Sequence, residues 1–423
     1  MSATAWILTA GFAALMALGV PFVFAIGLSV VAALLVADIP AILLPQTMIA
    51  GTQSFSLLGI PFFMLAGELM TAGGLSKRLV AVADVMVRHL PGGMGHVTIV
   101  AALIFASLSG SAPATTAAIG AIMIPAMVER GYDKAYATAL SVSAGVLAPL
   151  IPPSIAFVIW GVIAEQSIAK LFLSGVVPGL AMAAALALTV MLRAMQDKLP
   201  AVPRASWLEV RQAFNQGKWA LLTPIIVLGG IYAGVFTPTE AAAVACFYSL
   251  AIGVVLEKRI RFADLPRIVF AAMKVSAIVM AIIAVSGGFG VLVAQEQVAT
   301  KLAAFLGEHI QQRWLMLLLL NLAFFLLAAV MDEIAIMVIL GPMLIAIANR
   351  FAVDPIHFGA IIVTNVSIGM AAPPIGYCLF VGMAISGLSL GKVSRAIWPM
   401  VLAMLVVLML TTYVPGFSLA FKK

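Results

Sequence analysis

The sequence predicts an all-α polytopic membrane protein made of two structural repeats, each with a re-entrant helical hairpin and a broken helix. Three observations predict it. Of 423 residues, 64% are hydrophobic and only 9% charged, far less charge than a soluble surface of this size carries. Apolar stretches fill most of the chain, and roughly 20 such residues suffice for each crossing of a bilayer core about 30 Å thick. The chain also matches itself: a shift of 221 residues lays Asp133 on Asp354, Pro152 on Pro373, Pro153 on Pro374, Gly161 on Gly382 and Pro178 on Pro399. Lipid offers no partners to backbone N–H and C=O groups, so the spanning elements must be helices. The alternating segments of about 10 residues that mark a transmembrane barrel are absent.

Taken in order, residues 5–36 form an apolar run interrupted by Pro21, and a second block covers about 40–75, ending at "TAGGL". The N-terminus lacks the basic region of a signal peptide and reads as the first membrane helix. A charged loop, 77–92, precedes a run without charge from Val97 to Val128. As one helix those 32 residues would extend about 48 Å, too long for a simple crossing. The run contains "SGSAPATTAAIG", Ser109–Gly120. A reversal there gives two arms of about 13 residues, near 20 Å each, with small residues for close packing and glycine and proline for the turn.

The remainder of this first repeat, 1–192, holds the hairpin at about 97–128 and a broken helix at about 135–165. Residues 193–218 read as a polar linker with a short amphipathic helix on the membrane surface. The second repeat, 219–423, holds a hairpin at about 314–349 and a broken helix at about 357–388. Its hairpin is interrupted by "AAVMDEIA", which carries the adjacent carboxylates Asp332 and Glu333. Acidic groups at membrane depth usually mark an ion or substrate path; the plainer alternative is an interfacial loop between two crossings. For Ser109, Ser111, Thr115 and Thr116 the plainer alternative is helix packing through small residues. "LAPLIPPSI" and "MAAPPIGY" place prolines inside apolar segments, freeing carbonyl oxygens. Broken helices facing hairpin tips are one way transporters build cation sites from carbonyls and hydroxyls. Sodium suits such ligands, and the reading is two related sites, one per half.

Charge excludes several other classes. The formal net charge is +7, but 21 of the 39 charged residues lie in four short loops, as cytoplasmic loops retain Lys and Arg; a nucleic-acid partner is not needed. Cys246 and Cys378 lie in apolar surroundings and read as small hydrophobes. The four histidines have no metal-ligand spacing, and Walker A and HExxH sequences are absent. An intramembrane hydrolase would need a paired-Asp, Ser/His or Ser/Lys set that is not evident. The charged stretches 77–88 (+2) and 301–313 (+1) are too alike to decide whether the repeats are inverted.

With "SGSAPATTAAIG", "LAPLIPPSI", "LFLSGVVPG", "GVFTPTEAAAVA" and "DPIHFGAIIVTNVSIGMAAPPIG" in this order, the chain resembles the large permease subunit of tripartite ATP-independent periplasmic (TRAP) transporters, over essentially its whole length. That resemblance implies a non-enzymatic, sodium-coupled importer of small organic anions in a bacterial inner membrane, with elevator-type ion-transporter architecture and no cofactor beyond the coupling ion. It implies a small four-helix membrane subunit and a periplasmic solute-binding protein as partners. The first sodium site would use Ser109, Gly110, Ser111, Gly145, Ala148 and Pro149. The second would use Asp332, Gly369, Met370, Pro373 and Thr237. Substrate would lie near Ser111, Thr115 and Asn365, with Gln295 as a further polar candidate. Glu240 would belong to an ion-linked network or cap a helix start. Relatives commonly carry Gly at Ala148 and Thr at Ala372, so a side-chain ligand is missing at the second site. The alternative is a stand-alone ion-coupled carrier of dicarboxylate, citrate or arsenite type, active without a binding protein.

Overall fold

The computed structural model describes residues 2–197, 202–298, 301, 304 and 308–421, and these form helices and turns with no strand among them. Seven helices among the described residues are long and apolar enough to cross a membrane.

The chain begins with α1 (Ala3–Ala17) and α2 (Phe22–Val36), parted by Gly19 and Pro21. Next come α3 (Leu43–Thr52), α4 (Gly59–Ala72) and α5 (Leu75–Val87). The uncharged run Val97–Val128 is divided between α6 (Gly93–Ser109) and α7 (Ala112–Glu129), which meet at Gly110–Ser111 and pack together. Both arms exceed the 13 residues expected. A left-handed Gly92 starts α6 ahead of the uncharged run, and α7 continues through Glu129, because helix propensity does not stop where apolarity stops. At 17 and 18 residues the arms measure about 26 Å.

Two short helices follow, α8 (Lys134–Gly145) and α9 (Ile155–Ile163), separated by the proline-rich segment 146–154. The 30-residue α10 (Ile168–Asp197) carries Pro178 within it. The same order recurs later. Helices α11 (Trp207–Tyr232), α12 (Pro238–Ala251) and α13 (Leu265–Gln295) lead to α14 (Arg313–Ala328) and α15 (Glu333–Arg350). Then come α16 (Pro355–Gly369), a proline-rich break, α17 (Tyr377–Ser386) and α18 (Leu390–Tyr413), which carries Pro399. The matched residues hold matched positions: Asp133 and Asp354 cap α8 and α16, and the Pro152–Pro153 and Pro373–Pro374 bonds are both cis.

Packing interlocks the two sets. Helix α9 lies against α15, where a Cβ on Gly341 would sit 2.5 Å from Ile163. Helix α17 lies against α7, with Ile385 over Gly120. The second piece of each broken helix therefore leans on the other hairpin. Trp160 of α9 meets Phe358 of α16 edge-on at 5.9 Å, and Phe105, Phe157 and Phe172 are fully buried in the same core. Around it, α12 packs on α4 and α11, and the long α13 touches α2, α3, α4 and α15.

The expected linker differs. Helix α10 continues to Asp197, residues 198–201 lie outside the described residues, and α11 runs unbroken from Trp207 into the apolar segment. Among the described residues there is no separate surface helix: Ser206 and Glu209 form a capping box that starts α11, which continues through Gly217 and Pro224. Glu209 accepts from the Ser206 backbone N–H at 2.6 Å and from Arg88 Nη2 at 3.0 Å. These donors, the Ser206 N–H foremost, hold its carboxyl below the ordinary glutamate range. A lowered folded-state pKa gives a contribution complete above the unfolded value and lost as pH falls through the folded one. Glu209→Gln should therefore melt below the parent at pH 7, and the gap should close as pH drops below 4.5, the ordinary value. Parallel thermal melts at pH 7 and pH 4 check this; an unchanged gap would contradict it.

Candidate functional site at the hairpin tips

At the first tip Ser109 ends α6, Gly110 turns with φ +59°, and Ser111 is extended before α7 begins with Pro113 in its first turn. Two constraints fall on Gly110. Its backbone is left-handed, and a Cβ there would lie 2.4 Å from the Pro153 carbonyl oxygen. That proximity brings the tip to the end of the break: the Ile155 N–H donates to the Gly110 carbonyl at 3.4 Å. Within the tip, the Ser109 and Thr115 hydroxyls are 2.8 Å apart, and the Ser111 N–H donates to Ser109 Oγ. All three residues are buried. On α8, a Cβ at Gly145 would fall 2.0 Å from Thr116 Oγ1, so the start of the break abuts the first turns of α7. Ala148 and Pro149 are buried inside the break, where the Pro149 carbonyl accepts from the Ser154 hydroxyl.

The second tip repeats the contact with different chemistry. Ala328 ends α14, and the Ala329 carbonyl accepts the Gly376 N–H at 2.9 Å. The two donors, Ile155 and Gly376, are 221 positions apart, the offset of the sequence match. Gly369 permits the approach, since a Cβ there would meet the Ala328 Cβ at 2.2 Å. The Met370 carbonyl accepts the Cys378 N–H at 3.0 Å, and Pro373 lies in the cis pair. Asp332 caps α15 through the Ile334 N–H at 3.0 Å. Glu333 is 6% exposed, and its Oε2 has no hydrogen-bond partner among the described residues. The Cys378 thiol lies beside the Thr116 hydroxyl of the first hairpin and within electrostatic reach of Asp332 and Glu333. The tips therefore converge on the start of α17.

Three expected residues fall elsewhere. Thr237 is exposed at the start of α12, in a capping box with Glu240: its hydroxyl donates to Glu240 Oε2 at 2.8 Å and accepts the Glu240 N–H. A helix start needed that oxygen more locally than an ion did. Gln295 is exposed at the end of α13. Asn365 is buried, but its amide nitrogen donates to the Asn321 backbone carbonyl at 2.9 Å and to Asn321 Oδ1 at 3.1 Å. Asn321 in turn donates to Thr412. Asn365 thus ties α16 to α14 and, through Asn321, to α18, while its Oδ1 is buried with no partner among the described residues. Sequence reading missed Asn321, the lone amide of "WLMLLLLNLAFF", whose isolation in an apolar helix is the signal for a buried partner. It also missed Pro153, Ile155 and Gly376, whose role is only a backbone atom. Among the described residues no three His, Cys, Asp or Glu side chains gather. The oxygens at the tips are hydroxyls, carbonyls and carboxylates, a hard donor set.

The family model described as "Tripartite ATP-independent periplasmic transporter, DctM component" matches residues 9–417. The chain is 40% identical to the C4-dicarboxylate TRAP transporter large permease protein DctM of Pseudomonas aeruginosa, over 87% of this chain and 86% of that one. It is 39% identical to the 2,3-diketo-L-gulonate TRAP transporter large permease protein YiaN of Escherichia coli, over 88% of each. With the sialic acid TRAP transporter permease protein SiaT of Haemophilus influenzae it shares 36% identity over 88% of this chain and 60% of that one. Among solved structures, the YdaH transporter of Alcanivorax borkumensis superposes with a TM-score of 0.64 over 88% of both chains at 16% identity, a likeness of fold.

Gly110→Val forces a β-branched residue into a left-handed backbone, roughly 1–2 kcal/mol by itself, and adds the clash with Pro153. It should lower the unfolding temperature more than Gly131→Val, where φ is +85° and nothing lies within 4 Å. Melts of the two variants in detergent check the ordering; equal losses would mean that tip and break do not touch.

Proposed function

The chain belongs to the DctM component family of tripartite ATP-independent periplasmic transporters, and from that premise we propose that it is the large membrane subunit of a sodium-coupled importer of small organic anions. The observation that carries the reading is the paired contact between each hairpin tip and its break, Ile155 N–H to Gly110 carbonyl and Gly376 N–H to Ala329 carbonyl. Both contacts gather backbone and side-chain oxygens at the interruption of an apolar helix. Bared carbonyls at membrane depth persist only where protein or water surrounds them, and a hard monovalent cation is the ligand they suit.

In this reading residues 1–192 and 219–423 are two repeats, each with a re-entrant hairpin, joined by 193–218. The first sodium ion sits among Ser109, Gly110, Ser111, Gly145, Ala148 and Pro149, with Thr115 and Thr116 added from the packing around the tip. The second sits beside Asp332 with Gly369, Met370 and Pro373; Thr237 is left out because its hydroxyl caps α12. Substrate binds between the tips, near Ser111 and Thr115. Ion occupancy orders the tips, so the anion is held firmly only when sodium is present, which couples the two fluxes. The interlocked hairpins and broken helices then move as one body against the surrounding helices, an elevator step. A solute-binding protein outside the membrane delivers the anion, and a small membrane subunit braces the surround. The membrane is the bacterial inner membrane. C4-dicarboxylates and sugar acids are the substrate classes that the names of the relatives suggest.

Two outcomes test the sites, read as uptake into proteoliposomes carrying the partner subunits. Ser109→Leu with Ser111→Leu should abolish sodium-dependent uptake while membrane insertion is kept; unchanged sodium dependence would remove the first site. Asp332→Asn should shift half-saturation to higher sodium by about tenfold, the size of one charge-assisted contact of about 1.4 kcal/mol. Normal sodium affinity would remove Asp332 from the second site. Equal uptake with and without a solute-binding protein would favour the stand-alone carrier.

A further inference from the structure

Away from the tips, a cavity of about 660 Å³ lies between the last turns of α10 and the first turns of α18. Tyr136 of α8 closes one side. A smaller pocket shares its Asp133 and Tyr136 edge and adds Asp197. Three cations line or head the space: Arg193 from α10, and Lys392 and Arg395 from α18. Two carboxylates face them, and both are engaged. Asp133 caps α8 through the Tyr136 N–H at 2.8 Å, and Asp197 pairs with Arg193 at 2.6 Å. Among the described residues no ion pair forms to Lys392 or Arg395.

Three further features describe the ligand. The α18 N-terminus lies at this cavity, and Ser389 makes no side-chain cap there, so the positive end of the helix is uncompensated. The Tyr136 hydroxyl is buried with no partner among the described residues, and the Arg193 guanidinium stands 5.8 Å over the ring. The floor is apolar, from Leu192, Ala396 and Pro399. Beyond the cavity both helices carry large exposed apolar side chains, Leu180 and Leu188 on α10 and Leu402 and Val406 on α18. Cations at the head, a hydroxyl to donate, and an oily path leading away describe a phosphodiester with acyl chains better than a soluble anion.

We propose that this cavity is a binding site for an anionic glycerophospholipid, its phosphate held by Lys392, Arg395 and Arg193 with the Tyr136 hydroxyl donating, and its chains lying along α10 and α18. Basic pockets between membrane helices recognise acidic headgroups by this chemistry. The lipid links α8, α10 and α18 at one end of the molecule.

The purified protein tests it in two ways. In native mass spectra from mixed micelles, the parent chain should retain phosphatidylglycerol in preference to phosphatidylcholine; equal retention would overturn the proposal. In thermal melts, phosphatidylglycerol should stabilise the parent, and Lys392→Gln with Arg395→Gln should need about thirtyfold more lipid for the same shift, from about fivefold per cation near an anionic headgroup. Lys170→Gln with Lys274→Gln, an equal charge loss elsewhere, should respond as the parent does. An undiminished response in the double variant would overturn the site. Inorganic phosphate or succinate giving the same stabilisation through the same two cations would replace the lipid with a soluble anion.

Discussion

The structure depends on how two interrupted helices satisfy their backbones. In hydrocarbon a broken helix exposes donors and acceptors that no solvent can meet, each costing several kcal/mol if left alone. Here each break finds its partner on a hairpin. The Ile155 and Gly376 N–H groups reach the Gly110 and Ala329 carbonyls, and the main chains can come that close only because Gly110, Gly145 and Gly369 have no side chains. A turn and a break, each unfavourable alone in lipid, are tolerated as a pair. Hydroxyl-bearing residues collect there as well: Ser109 Oγ accepts the Ser111 N–H and meets the Thr115 hydroxyl, and Ser154 donates to the Pro149 carbonyl.

The same pairing shapes the rest. Because α9 leans on α15 and α17 on α7, neither hairpin has a complete set of neighbours within its own half. The four hairpin arms and four pieces of broken helix therefore share one core, with Trp160, Phe157 and Phe358 at its centre. Separating the halves would expose this core, which continues into α4, α12 and α13. A densely packed interior transmits displacement as a unit rather than deforming.

Much of this was legible in the sequence, for reasons that also set the limit. Helical identity followed from composition, and the turn at Gly110 followed from a run too long to be one crossing. The matched prolines gave both breaks. All of these are local or periodic properties of the chain. What could not be read was which atoms those features meet. Asn365 looked like a polar residue in reach of substrate, and its amide nitrogen is taken by Asn321, 44 positions earlier, while its Oδ1 has no partner among the described residues. Thr237 looked like an ion ligand because it recurs in a family motif, but the motif "TPTE" is satisfied as a capping box. Gln295 drew attention as a polar residue after an apolar run, and the structure leaves it exposed at a helix end. For Asn365 the partner was set by packing between helices distant in sequence; for Thr237 it was set by a cap three residues away.

The two tips share their backbone geometry but not their charge, and this bears on how they would act. The first is neutral, with Ser109 and Thr115 hydroxyls and the Gly110 carbonyl. The second carries Asp332 and Glu333, one oxygen of Asp332 held by the Ile334 N–H and Glu333 Oε2 without a partner among the described residues. A buried carboxylate with an unpaired oxygen must gain a proton or a cation. The second tip is therefore the one whose own side chains would favour a positive charge. The absence of a hydroxyl at Ala372 fits this difference, because a carboxylate supplies the field that a neutral side-chain ligand would otherwise add. On the proposed reading the symmetric scaffold thus carries an unsymmetric pair of sites.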